Sequence, residues 1–134
     1  ADLESCLVCR MESAEAEIIL GVSHDPEFGP MVLFGLGGLV AEIVDDVVLT
    51  SAPVTPQRAL ALLQTLKLWP LLDGARGRPQ LDADAVCDMI SRLSWLAHDL
   101  RDSLLELDLN PVMVKRRGEG AVAVDARATL RLNN

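Results

Sequence analysis

Aromatic residues and an excess of basic residues are both missing from this sequence. Its 134 residues include two Trp, two Phe and no Tyr, and 20 acidic residues outnumber 12 basic ones, which gives a net charge of −8. Surfaces that bind nucleic acid need Lys or Arg in excess and rings on which bases stack. Nucleic acids and acidic membrane surfaces are therefore not expected as partners.

Long hydrophobic runs and a secretory signal are also missing. The longest apolar run, Met31 to Val40, falls short of the roughly 20 residues that span a bilayer. The first residues lack Met, a basic stretch and an apolar stretch, so they do not form a signal peptide. We expect a cytoplasmic chain without a membrane segment, cut from a longer protein.

Cysteine is scarce as well. Cys6, Cys9 and Cys87 are an odd number, and the Cys6–Cys9 pair lacks the second pair that a structural zinc site needs. Because the run from Leu7 to Met11 is apolar, its thiols are expected to pack in the core as small hydrophobes. Free thiols also fit a reducing cytoplasm.

What the chain does contain is the balance of a folded protein. Half of its residues are apolar and 24% are charged, which is typical of globular domains. At this length about two-thirds of the unfolded surface can be buried, so we expect one domain over residues 1–134. Strand patterns lie at both ends and helix patterns in the middle, and the predicted class is α+β.

Short apolar runs separated by turn formers predict a mostly antiparallel sheet. Asp25 and Gly29 belong to a dense group of turn formers, in which His24 is expected to be a surface residue. The predicted strands cover residues 7–11, 18–22, 31–34, 39–44, 47–50, 104–109, 111–115 and 121–126.

Two main helices are predicted to pack on this sheet. Thr55 followed by Pro56 is typical of a helix start and predicts a helix over residues 55–67. Asp82 is the expected cap of a longer helix with a continuous apolar stripe. Trp95, on that helix, is expected to contribute packing surface.

Polar residues alternate with leucines over residues 105–110, so Glu106, Asp108 and Asn110 share one face of a strand. Asp125 lies on a strand that returns beside it, and Asp108, Asn110 and Asp125 can then converge. Mg²⁺ prefers a few protein oxygens completed by water and substrate phosphates. An alternating strand can equally present a solvated face, so the spacing alone leaves both interpretations open.

Five segments, in order over nearly the whole chain, resemble the ATP-grasp portion of acyl-CoA synthetases that form a nucleoside diphosphate. They are ILGVSHDPEFGP (19–30), LFGLGGL (33–39), PLLDGARGRP (70–79), ELDLNP (106–111) and VAVDAR (122–127). Similar families are ADP-forming acetyl-CoA synthetase, the β subunit of succinyl-CoA synthetase and long protein-lysine acetyltransferases. The resemblance implies the later, C-terminal lobe of an ATP-grasp domain, an antiparallel sheet with two main helices packed on it.

The resemblance also implies roles for individual residues, with Mg²⁺ and ATP or ADP as cofactors. Asn110 and Asp125 match the ligands of the magnesium–nucleotide complex, and Asp108 is a third contributor. His24 stands where the family usually has Arg. Among the implied nucleotide-binding residues, Val8, Cys9 and Met11 border adenine, and Glu17 lies near the ribose. Gly37 and Gly38 either cradle phosphates or form a tight backbone corner.

Two functions follow from the resemblance. The first is an ADP-forming acyl-CoA synthetase, which converts carboxylate, CoA and ATP to acyl-CoA, ADP and phosphate through acyl phosphate and a phosphohistidine located elsewhere. Its partners are the nucleotide, the earlier ATP-grasp lobe and a CoA-binding domain, and the isolated lobe is expected to be inactive. The alternative is a non-catalytic regulatory or assembly domain of a protein-lysine acetyltransferase. A globular interaction domain and a homo-oligomer formed through exposed apolar surface remain open.

Overall fold

The computed structural model describes residues 2–37 and 45–132, where one sheet carries helices on one of its faces. The strands are β1 (Ala16–Asp25), β2 (Gly29–Leu36), β3 (Val47–Ser51), β4 (Leu104–Val114), β5 (Ala121–Ala123) and β6 (Ala126–Leu130). The helices are α1 (Pro56–Leu63), α2 (Trp69–Leu72) and α3 (Ala83–Asp99), with a 3₁₀ turn at Ala75–Gly77. None of the described helices is long and apolar enough to cross a membrane.

The sheet has the strand order β3-β2-β1-β4-β5, and β6 also pairs with β4. β5 pairs with residues 112–114 of β4 and β6 with residues 104–109. The pairings between the described strands are all antiparallel. The predicted α+β class and antiparallel sheet are confirmed, while the strand predicted over residues 39–44 lies outside the described residues.

The β1–β2 hairpin forms at the turn that the sequence predicted. One oxygen of the Asp25 carboxylate accepts the backbone N–H groups of Glu27 at 2.8 Å and Phe28 at 3.0 Å, and Gly29 has a φ of +74°. His24, expected on the surface of this turn, is instead a half-buried residue of β1 whose Nδ1 lies 3.3 Å from the carbonyl oxygen of Leu105. The expectation was wrong because β1 extends to Asp25 and lies beside β4.

Both main helices begin where their caps predict. The Thr55 hydroxyl accepts the backbone N–H of Arg58 at 3.1 Å, ahead of α1. The Asp82 carboxylate accepts that of Ala85 at 3.1 Å, ahead of α3. Trp95 was expected to provide packing surface, but it is 50% exposed, because its position lies off the buried stripe of α3.

The core lies between α3, α1 and the covered face of the sheet. Alternate residues of β1, β2 and β4 point into it, including Ile18, Leu20, Val32, Phe34 and Val112. They pack against the apolar stripe of α3, which includes Val86 and Ile90. The buried Ser94 hydroxyl donates to the carbonyl of Ser91 at 2.6 Å and accepts the N–H of Val54 at 2.8 Å. This bond ties the segment before α1 to the middle of α3.

The strand predicted over residues 7–11 is wrong. Residues 2–14 contain no strand or helix, and Leu7 and Met11 are 86% and 92% exposed. Cys6 and Cys9 are exposed as well, against the expectation of core packing, whereas Cys87 is buried. An apolar run becomes a strand only when a neighbouring strand pairs with it, and the described part of the chain offers none to this segment.

The carboxyl-terminal strands differ in their limits from the prediction. β4 runs without interruption from Leu104 to Val114, through Pro111, where two strands were expected. The single strand expected over residues 121–126 is divided into β5 and β6 at Val124 and Asp125. The division occurs where the N–H of Val124 donates to the carbonyl of Pro111 at 3.0 Å.

Candidate metal and nucleotide site

The face of the sheet opposite the helices carries Glu17 and the three predicted metal ligands, and we call it the open face. On β1 the core takes Ile18, Leu20 and Val22, so the residues between them point to the open face. Because directly opposed residues of antiparallel strands point to the same side, Asp108 shares this face with Gly21 of β1 and Arg127 of β6.

Asp108, Asn110 and Asp125 come together on the open face. They line one cavity of about 180 Å³ together with Ala126 and Arg127. The backbone N–H of Asn110 donates to the carbonyl of Asp125 at 3.2 Å, so the link between β5 and β6 is held directly beside β4. The structure thus brings together all three of the predicted metal ligands, and their role as ligands stays a prediction.

A β-bulge in β4 helps to place Asn110. The register between β1 and β4 shifts after the Ile18–Val112 pair, because the next pair is Leu20 with Leu109. Ile19 therefore faces two residues, Asn110 and Pro111. A bulge re-aims side chains and tolerates a residue without a backbone N–H, which explains why an Asn-Pro pair fits inside a long strand.

The donors around this cavity have the chemistry of a magnesium site. Two carboxylates and one amide supply hard oxygen atoms, and Mg²⁺ typically takes one or two carboxylates and completes its shell with water and phosphate oxygens. None of the ion pairs in the described residues involves Asp108 or Asp125. Their charges are therefore free to attract a cation, and the adjacent Arg127 guanidinium matches phosphate oxygens.

Gly21 contributes to the site in a way that the sequence analysis missed. It lies opposite Asp108, and a Cβ atom at this position would lie 3.2 Å from Oδ1 of Asp108. The missing side chain therefore leaves room for that carboxylate above β1. A glycine inside the apolar run of β1 was the available signal, since glycine within a strand often marks a close approach.

The predicted nucleotide-binding residues fall into two groups. Glu17 is exposed on β1, and its carbonyl accepts the N–H of Gly37 at 3.0 Å. A Cβ atom on Gly37 would lie 2.9 Å from the carbonyl carbon of Ile18, so this glycine permits close backbone packing beside Glu17. Gly38 lies outside the described residues. The second group, Val8, Cys9 and Met11, is exposed in the segment without secondary structure.

The segment that carries this second group is tied to the sheet at Glu12. The Glu12 carboxylate binds Nζ of Lys115 at 2.7 Å and Nε of Arg10 at 2.8 Å. The hydrogen bond from Lys115 is the largest cause that lowers the pKa of Glu12 below its usual value, and the hydrogen bond from Arg10 is the next largest. The N–H of Glu15 donates to the carbonyl of Val114 at 3.1 Å, so the chain is fixed from Glu12 onward.

Comparison with known proteins shows the family. Residues 1–130 match the ATP-grasp domain, and the chain belongs to this family. It is 44% identical over 131 residues to the β subunit of acetate–CoA ligase (ADP-forming) II from Pyrococcus furiosus, covering 98% of this chain and 56% of that subunit. The antiparallel α+β fold and the ATP-grasp family, implied by the sequence motifs, are thus confirmed.

Solved structures agree with this assignment. A crystal structure from Pyrococcus horikoshii Ot3 has a TM-score of 0.86 at 43% identity and covers 92% of this chain and 52% of its own. A dinucleotide-forming acetyl-coenzyme A synthetase from Ca. Korarchaeum cryptofilum, solved with coenzyme A and Mg-AMPPCP, has a TM-score of 0.82 at 36% identity and covers 90% and 55%. The chain spans about half the length of these relatives.

Proposed function

We propose that this chain is the later lobe of the ATP-grasp domain of an ADP-forming acyl-CoA synthetase and holds the magnesium end of the nucleotide site. Two of the relatives described above are a subunit of an ADP-forming acetate–CoA ligase and a dinucleotide-forming acetyl-coenzyme A synthetase. Since this chain matches about half of each, the remaining half would supply the earlier lobe, and the CoA-binding and histidine-bearing parts would lie beyond it.

The residues of the open face would divide the work among them. Asn110 and Asp125 would hold Mg²⁺, with Asp108, on the same strand as Asn110, as a third contributor. When bound, the ion neutralises charge on the phosphates, which is the main requirement of phosphoryl transfer. Arg127 binds a phosphate oxygen beside the ion. Glu17 binds the ribose, while Val8, Cys9 and Met11 border the adenine once their segment is extended.

The observation that carries this proposal is the common cavity of Asp108, Asn110 and Asp125 on a face without helices. Isolated like charges are unfavourable beside each other, and two carboxylates with an amide oxygen form a suitable binding site for a divalent cation.

The test is ATP formation from ADP, phosphate and acetyl-CoA by the complete ligase carrying Asp125→Asn or Asn110→Ala. Loss of one electrostatic contact to the transferring group typically lowers turnover by about 100-fold or more, and the Mg²⁺ concentration for half-maximal activity should rise. The matched control is Glu119→Gln, which removes one negative charge in the neighbouring β4–β5 turn. Unchanged turnover and unchanged Mg²⁺ dependence in both site variants would refute the assignment.

A further inference from the structure

Two of the three cysteines lie three residues apart in the segment that the structure leaves without helix or strand. Cys6 and Cys9 are both exposed, whereas Cys87 is buried in α3. Burial, together with the nearby charge of Asp84, raises the pKa of Cys87 to about 11. Since the thiolate is the reactive form, Cys87 is unreactive at neutral pH while the other two thiols are accessible.

Residues 2–14, which include Cys6 and Cys9, contain no helix or strand. Within the described residues, the first backbone hydrogen bond of the chain is that of Glu15 to Val114, and the first ion pairs to the sheet are at Glu12. A disulfide between Cys6 and Cys9 would therefore break none of the backbone hydrogen bonds of the described residues. The burial that would have made these thiols inert is absent, and the Cys-x-x-Cys spacing is typical of dithiols that form a disulfide.

We propose that Cys6 and Cys9 form a thiol–disulfide exchange site. The thiolate of one cysteine attacks a small-molecule disulfide, forms a mixed disulfide and releases one thiol. The second cysteine then attacks the protein sulfur, forms the Cys6–Cys9 bond and releases the second thiol. The protein loses two electrons and two protons, and these convert one small-molecule disulfide into two thiols.

Closure of this disulfide has a consequence for the nucleotide site, which rests on the function proposed above. In an extended strand, the Cα atoms of Cys6 and Cys9 would lie about 10 Å apart. A disulfide requires a Cα separation of about 4.4–6.8 Å. The two conformations exclude each other, so oxidation removes the extended segment that would border adenine and competes with nucleotide binding.

The exchange site is tested on this chain with oxidised glutathione as the probe, followed by acid quenching and mass spectrometry. The native chain should lose the mass of two hydrogens without retaining glutathione, whereas Cys6→Ser and Cys9→Ser should each retain one glutathione. Cys87→Ala, the matched control, should behave like the unchanged chain. The proposal is overturned if the unchanged chain retains glutathione as the single variants do, or if it reacts only after unfolding.

Coupling to the nucleotide is tested on the complete ligase subunit by calorimetry with Mg-ATP. The disulfide form should bind about tenfold more weakly than the reduced form, within the usual range of coupling between sites, and reduction of the disulfide with dithiothreitol should restore the affinity. Equal binding by the two redox forms would overturn the coupling. If the reduced subunit does not bind Mg-ATP, the proposed function fails, whereas the exchange site is decided by mass spectrometry alone.

Discussion

Asp82 should be one of the most important polar residues for stability, because its buried carboxylate joins two parts of the fold. One oxygen accepts the N–H of Ala85 at the start of α3, at 3.1 Å. The other accepts the N–H groups of Gly118 and Gly120 in the β4–β5 turn, at 3.0 and 2.8 Å. Asp82→Ala would remove all three hydrogen bonds at once.

The size of the effect follows from these contacts. A helix cap contributes about 1 kcal/mol, and each hydrogen bond to a charged acceptor about 1.5 kcal/mol or more. Water can replace part of this in the exposed turn, so we expect Asp82→Ala to lower the free energy of unfolding by about 3 kcal/mol, out of the 5–15 kcal/mol typical of domains. Asp82→Ser keeps a cap but not the turn contacts, and should lose about 2 kcal/mol.

Urea unfolding followed by tryptophan fluorescence measures these differences, since Trp69 lines the same cavity as Asp82 and Trp95 lies on α3, the helix that Asp82 caps. Asp84→Ala is the matched control, because Asp84 is an exposed acid of the same first helical turn and its loss should change stability by about 0.5 kcal/mol or less. The reasoning is refuted if Asp82→Ala stays within about 1 kcal/mol of the unchanged chain, or if Asp82→Ser is fully stable.

Three further predictions concern the site and its surroundings. Gly21→Ala should leave the melting temperature nearly unchanged yet weaken Mg²⁺ binding by the complete ligase subunit about tenfold, as loss of second-layer support usually does; Ser23→Ala is the control, and equal Mg²⁺ affinity for the two would contradict the role of Gly21. The pKa of Glu12 is lowered in the folded chain. The ion pairs of Glu12 therefore stabilise the fold at neutral pH, and this stabilisation is lost as the pH falls below about 4.3, the usual glutamate value, and through the lowered pKa. The difference in urea midpoint between the unchanged chain and Glu12→Gln should therefore vanish at low pH, and a constant difference would show that the ion pairs do not cause it. The isolated lobe should bind Mg-ATP weakly by calorimetry, and an affinity near micromolar would contradict the half-site.

Local signals were sufficient for most of the elements. Thr55 and Asp82 mark the starts of the two main helices through side-chain acceptors that act within three residues, and Asp25 marks a hairpin in the same way. Such signals depend only on residues that are close together in the sequence, so the sequence alone reveals them. Residues 7–11 show the opposite case: their apolar pattern is that of a strand, but a strand exists only with a neighbour, and no local pattern specifies that neighbour.

The candidate site was predictable only in part, for a related reason. The alternation of residues 105–110 places Asp108 and Asn110 on one face, and this depends on strand geometry alone. The approach of Asp125 depends on β6 returning along β4, and the role of Gly21 depends on a register across two strands. The strand pattern predicted that Asp125 could converge with Asp108 and Asn110, and the family motifs then implied its role as a ligand, whereas Gly21 lay inside a matched segment without a role attached.

The distribution of charge favours a binding role for the open face over that of a merely solvated face. In a chain with a net charge of −8, Asp108 and Asp125 line one cavity together with Arg127. Under the proposed function, Mg²⁺ with nucleotide would bind the folded chain in preference to the unfolded one, so it should raise the stability of the complete subunit, and of Asp125→Asn much less.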